Sequence, residues 1–127
     1  MTCGCSKGLK LKIKKGESLG FAFGLTIEDS PIDLTGGTIT FQVRQNLADN
    51  GVYVINKTIT TSSDVETIGR ITDAEKGQFV IMVTSTETAG LSTLKPYFAA
   101  IYYNVNGISR CISADDNSVA QLIILNP

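Results

Sequence analysis

Leu19-Gly20-Phe21-Ala22-Phe23-Gly24-Leu25-Thr26-Ile27 places an apolar side chain at every second position, with small or polar residues between. Side chains of an extended chain alternate between two faces, so a period of two predicts a strand with one face in a core. The strand is expected over about 18–28. Pro31-Ile32-Asp33-Leu34-Thr35-Gly36 follows as a turn, after which Ile39, Phe41 and Val43 alternate with Thr40, Gln42 and Arg44. Two such runs separated by turn residues predict paired β-structure.

The pattern extends in both directions. Upstream, Leu9, Leu11 and Ile13 alternate with Lys10, Lys12 and Lys14 in a basic first strand. Downstream, a polar loop carries Asp49-Asn50-Gly51, and Tyr53, Ile55, Lys57 and Ile59 alternate again. The Ser/Thr/Asp-rich connection 60–69 has only Val65 and Ile68 to anchor it, and is expected to be the most mobile part of the chain. Arg70-Ile71-Thr72 enters a turn at 73–77, and Phe79-Val80-Ile81-Met82-Val83 leaves it apolar on both faces, which requires cover on both. Thr84-x-x-Glu87 reads as a capping box opening one helical turn that ends near Gly90-Leu91.

Asn106-Gly107 is the preferred pair for a two-residue type I′ turn. Counting outward pairs Val105 with Ile108, Tyr103 with Arg110, Tyr102 with Cys111 and Ile101 with Ile112. Tyr97, Ala99, Ile101, Tyr103 and Val105 then share one face, and Phe98, Ala100 and Tyr102 the other. A closing strand follows the Asp115-Asp116-Asn117 loop. About eight closely spaced strands with one helical turn predict an antiparallel β-sandwich. Its expected core includes Phe21, Phe23, Leu25, Ile39, Phe41, Val43, Ile81 and Ile101. Residues 9–127 form the single domain, and residues 1–8, with no apolar pattern to bury, form a flexible or partner-ordered arm.

Composition limits function. With 127 residues, a net charge of −1 and a sequence pI near 5.3, the chain has no overall basic field to recruit nucleic acid or an anionic membrane. No segment reaches the roughly 20 apolar residues of a membrane span, and the N-terminus lacks the apolar core of a secretory signal, so export is not expected. Lys7, Lys10, Lys12, Lys14 and Lys15 all precede the first acid, Glu17, which leaves the rest of the chain acidic. The lysine row either guards an exposed edge strand against aggregation or meets an acidic partner or phosphate.

Few residues are placed for chemistry. Histidine is absent, which removes the commonest general base and every Ser-His or Cys-His nucleophile pair. Cys3-x-Cys5 with distant Cys111 falls short of the four ligands of a closed zinc site, and a bridge from the N-terminal arm to Cys111 is left open. Asp115-Asp116 and Asp73/Glu75 sit in turns, where acids make local hydrogen bonds. Asn56-Lys57-Thr58 is a formal glycosylation sequon without a secretion signal. No cofactor, metal or catalytic residue is expected. Tyr53, Phe98, Tyr102 and Tyr103 are candidate sugar platforms, but Trp, the favoured ring, is absent. Outward Phe98, Ala100 and Tyr102 fit a contact with another protein subunit better, because large aromatics dominate interface cores.

The order of these signals resembles the immunoglobulin-like module of bacteriophage baseplate and tail proteins, including the N-terminal domain of upper baseplate proteins. The elements are Lys15-Gly16-Glu17 before the alternating strand, then Pro31-Ile32-Asp33-Leu34-Thr35-Gly36 leading into Ile39-Thr40-Phe41-Gln42-Val43-Arg44. Ile71-Thr72-Asp73 with Gly77 comes next, followed by Thr84 with Glu87-Thr88 and Leu91, and then Tyr97-x-Ala99-x-Ile101. Lys95-Pro96 stands where a glycine commonly precedes that tyrosine. The resemblance implies an all-β, immunoglobulin-like antiparallel β-sandwich and a non-enzymatic virion component that docks on other virion proteins. As a tail, baseplate or head-to-tail accessory protein, it is expected in many copies and assembled in the bacterial host cytoplasm. A capsid decoration or head-fibre base protein is the first alternative, and a carbohydrate-binding or adhesion module the second. The expected partner surface comprises Phe98, Ala100 and Tyr102 together with Lys10, Lys12 and Lys14.

Overall fold

A computed structural model of the chain describes residues 10–27, 29–45, 53–111 and 120–127. The expected arm at 1–8, Leu9, the Asp49-Asn50-Gly51 and Asp115-Asp116-Asn117 loops, and the Ile101–Ile112 pair fall wholly or partly outside them.

The elements are β1 (Lys10–Lys14), β2 (Leu19–Gly24), β3 (Thr26–Ile27), β4 (Ser30–Pro31), β5 (Thr38–Arg44), β6 (Ile55–Ile59), β7 (Gly69–Asp73), β8 (Gln78–Val83), α1 (Ser85–Ala89), β9 (Tyr97–Val105), β10 (Ile108–Cys111) and β11 (Ala120–Leu125). The larger sheet runs β1-β11-β9-β5-β6, with β10 beside the far half of β9, and the smaller runs β2-β8-β7. A short β3–β4 hairpin stands apart. This is an all-β, immunoglobulin-like sandwich: β5, β9 and β10/β11 lie in one sheet, and β2, β8 and β7 in the other.

One core lies between the sheets. Leu11, Ile13, Ile39, Phe41, Val43, Ile55, Ile59, Tyr97, Ala99, Ile101, Leu122 and Ile124 come from the larger sheet, and Ile71, Phe79, Ile81 and Val83 from the smaller. Leu25, Leu34 and Leu91 close the ends. β1, β5, β6 and β9 of the larger sheet alternate as their sequences dictate; β5 reads half-buried, buried, half-buried from Thr38 to Arg44. The Asn106-Gly107 turn has both residues at positive φ, 55° and 80°, as a type I′ turn requires, and sets the expected pairs Val105–Ile108, Tyr103–Arg110 and Tyr102–Cys111. Thr84 and Glu87 form both halves of the capping box on α1.

Four features differ from the sequence reading. Phe21 and Phe23 are only half-buried, because β2 is the edge strand of its sheet and is covered from one side; Phe23 stacks on Phe79 with ring centroids 5.2 Å apart. The expected strand over 18–28 breaks at Leu25, whose N–H donates to Gly77 O while its carbonyl accepts from Ile32 N–H. This diversion packs the β3–β4 hairpin against the β7–β8 turn, where a side chain at Gly77 would strike the carbonyls of Ile32 and Leu25 at 2.7 and 2.8 Å. One pairing, β1 with β11, is parallel. The two strands lie near opposite ends of the chain, so the whole sandwich serves as the long connection that parallel pairing needs.

The fourth difference is the 60–69 connection, which is tied down by hydrogen bonds. Ser63 Oγ accepts from Thr60 N–H and lies within hydrogen-bond distance of the Thr60 and Gly69 carbonyls. Asp64 O accepts from Ile68 and Gly69 N–H, and Arg70 Nε donates to Ser63 O. Ser, Thr and Asp side chains, read as marks of a loose loop, here satisfy the backbone groups of a tight one.

Phe41, fully buried at the centre of β5, and Phe21, on the sheet edge, give a graded test. Phe41→Ala is expected to cost about 3–5 kcal/mol in urea unfolding, and Phe21→Ala about half of that, since less of its ring leaves water on folding. Equal losses would contradict the assigned edge position of β2.

Candidate functional site

The outer face of the larger sheet carries the sequence-predicted partner residues, and the register lays them out in columns. On β9, Phe98, Ala100 and Tyr102 are all half-buried, opposite Arg44, Gln42 and Thr40 of β5. Thr40 and Gln42 in turn face Thr58 and Asn56 of β6. On the other side Phe98 meets Gln121 of β11, and Cys111 of β10 stands opposite Tyr102. Lys10, Lys12 and Lys14 of β1 are exposed and sit opposite Gln121, Ile123 and Leu125. The face is thus an apolar and aromatic band between a lysine column and a polar column. The structure brings the two expected groups onto one sheet face, with β11 between them.

That band is partly sheltered by its own neighbours. Phe98 and Tyr102 are not among the large apolar residues that stand most open; Leu19, Val54, Leu94, Ile108 and Leu125 are. Leu125 adjoins Lys14 and extends the band toward the β1 edge. Tyr103 points into the core, Tyr53 lies before β6, and neither joins this face.

The interior holds an ionic contact that the sequence reading did not assemble. Lys57 is the single charged side chain in the buried class among the described residues. Its ammonium donates to Glu87 Oε1 at 2.6 Å, to Thr67 O at 2.8 Å and to Met82 O. A lysine ammonium has three donors, and all three are used. Glu87 Oε1 also accepts from Thr84 N–H and from the Thr84 hydroxyl, so one carboxylate oxygen completes the helix cap and neutralises the buried cation. Two signals were present in the sequence: the alternation put Lys57 on the inward face of its strand, and the capping box placed Glu87. Every donor of Lys57 is thus engaged within the fold.

Asp73, Asp33 and Asp64 make local contacts. Asp73 Oδ1 accepts from Lys76 N–H within the β7–β8 turn. Hydrogen bonds from the Thr35 hydroxyl and N–H hold the Asp33 carboxyl below its ordinary range. Asp64 is likewise lowered by the Glu66 N–H, with Thr67 and the Arg70 guanidinium assisting. Among the described residues no three Cys, Asp or Glu side chains gather as a metal cluster, and no helix is long and apolar enough to cross a membrane. Cys3 and Cys5 lie outside the described residues.

In comparison with known proteins, no family model and no curated protein matches this sequence.

The depressed carboxyls set a pH dependence. A carboxyl whose folded pKa lies below its unfolded value of about 4 stabilises the fold above that pH, and the contribution is lost as pH falls through the folded value. The urea midpoint is expected to fall as pH drops below about 4, and Asp64→Asn is expected to flatten that fall. Identical slopes for the two proteins would remove Asp64 from the account.

Proposed function

We propose that this protein is a non-enzymatic structural component of a bacteriophage or prophage virion, an accessory protein of the tail, baseplate or head-to-tail region that docks on other virion proteins. The observation that carries the reading is the outer face of the larger sheet, with Phe98, Ala100 and Tyr102 in one column and the Lys10, Lys12 and Lys14 row on the same face. Half-buried aromatics flanked by polar residues make the core and rim of a protein contact, and the lysines favour a partner that is acidic opposite β1. The immunoglobulin-like sandwich and the resemblance of the sequence pattern to phage baseplate and tail modules support the same reading. Its interior ionic contact is closed on itself, which leaves recognition to the surface.

Purified particles provide the test. The protein is expected in them in multiple copies by quantitative mass spectrometry, and particles from a deletion strain are expected to be incomplete. Tyr102→Asp, at a half-exposed position, is expected to leave the melting temperature nearly unchanged. It should weaken docking by about 2 kcal/mol, roughly thirtyfold in dissociation constant. Reversing Lys10, Lys12 and Lys14 to Glu should weaken it further and make the remaining binding less sensitive to salt. Absence of the protein from particles would sink the proposal. Specific glycan binding abolished by Tyr102→Ala would replace it with the carbohydrate-binding reading.

A further inference from the structure

Among the described residues five strands of the two sheets, β1, β6, β10, β7 and β2, pair on one side only, and the first four are guarded. β10 carries the exposed charge of Arg110. On β1 the exposed Lys10, Lys12 and Lys14 would face like charges on any second copy paired in the same way. On β6 the inward-pointing Lys57 occupies the middle of the strand. On β7 the register shifts between Ile71 and Asp73, and Ile71 N–H already donates to Thr60 O. Bulges and charges of these kinds are the devices by which edge strands resist pairing with another chain.

β2 has none of them. Leu19–Gly24 contains no charge and no proline, and its register with β8 runs unbroken from the Leu19–Val83 pair to Gly24–Gln78. Among the described residues β2 pairs with β8 alone. A seven-stranded immunoglobulin sandwich has a further strand beside this one, whereas here the first described strand, β1, lies in the opposite sheet against β11. The inward side chains of β2 report the same gap. Leu19 is 43% exposed and Phe21 and Phe23 are half-buried, while their β8 partners Val83, Ile81 and Phe79 are all at 1% or below.

We propose that two copies of this chain pair through β2, antiparallel about a twofold axis, joining their three-stranded sheets into one six-stranded sheet. A second strand pairs every outward backbone N–H and C=O group of such an edge at once. A second copy fits because twofold pairing sets β2 against β2, a segment without charge, so no like charges meet across the axis. Gly20, Ala22 and Gly24 place nothing larger than a methyl group on the outer face of the strand, and Phe21 and Phe23 of each copy gain cover from the other. This contact is separate from the face assigned to virion partners, which stays free on the far side of each sandwich.

Sedimentation equilibrium of the full chain provides the test, with concentration-dependent hydrogen exchange as a second readout on the unaltered protein. The expected result is a dimer of the 13.6 kDa chain whose Leu19–Gly24 amides become more protected as concentration rises. Ala22→Lys, at an exposed position, should raise the dissociation constant at least about tenfold without lowering the monomer's melting temperature. Lys12→Glu and Tyr102→Asp should leave the dimer intact. A monomer at every concentration would overturn the proposal, as would a dimer that Tyr102→Asp breaks and Ala22→Lys does not. A monomer with slowly exchanging β2 amides at every dilution would show the edge covered by the chain's own residues, and one whose β2 amides become protected only when another protein's extended segment is added would show a foreign strand as the occupant; either also overturns it.

Discussion

One ammonium group ties the two sheets and the helical turn together. Lys57 starts on β6, at the edge of the larger sheet, and crosses to Met82 O on β8 of the smaller sheet, to Thr67 O in the connection before β7, and to Glu87 on α1. Few other side chains could reach all three and leave no donor unsatisfied. Burying a cation costs several kcal/mol, and that cost is offset only when a counter-ion and further acceptors are in place. Here they are supplied by elements that must already stand in their native positions. The contact is therefore complete only when β6, β8 and α1 stand in this arrangement.

Glu87 is held for this role from two directions. Its carboxylate closes the N-terminus of α1, and α1 is itself tied to the β1–β2 turn: Thr88, fully buried, accepts from Gly16 N–H and donates to Glu17 O. Gly16 has φ of +84°, a conformation that glycine adopts without strain. The helical turn is thus a junction between the start of the chain, the end of β8 and the Lys57 side chain. With these charges closed on one another, the outer faces and the strand edges remain for contact with other molecules. On those surfaces lysines stand in a row along β1, aromatics line β9, and β2, among the described residues, pairs on one side only and carries no charge.

Much of this was legible in the sequence because it is local. Alternation in β5 and β9 sorted the faces of the larger sheet correctly, the Asn106-Gly107 pair fixed the register of its hairpin, and Thr84-x-x-Glu87 located the helix. The same alternation put Phe98, Ala100 and Tyr102 on one outer face, where the structure places them. Strand order was not legible. Phe21 and Phe23 have the pattern of core residues, and only their position at a sheet edge leaves them half-covered. The Lys57–Glu87 contact spans thirty residues, and period-two reasoning marks Lys57 as inward without saying what it meets. The 60–69 connection misled for a third reason: the polar side chains that mark loops in a sequence are also those that can fasten them.

A double-mutant cycle on Lys57 and Glu87, followed by urea unfolding, tests the central claim most directly. Lys57→Met alone is expected to cost about 2–4 kcal/mol, because it leaves the Thr67 and Met82 carbonyls without this donor and the Glu87 carboxylate without its counter-ion. With Glu87→Gln as the second arm, the coupling energy is expected at about 1–3 kcal/mol. A coupling indistinguishable from zero, with Lys57→Met as stable as the natural protein, would show that apolar packing alone sets the two sheets together.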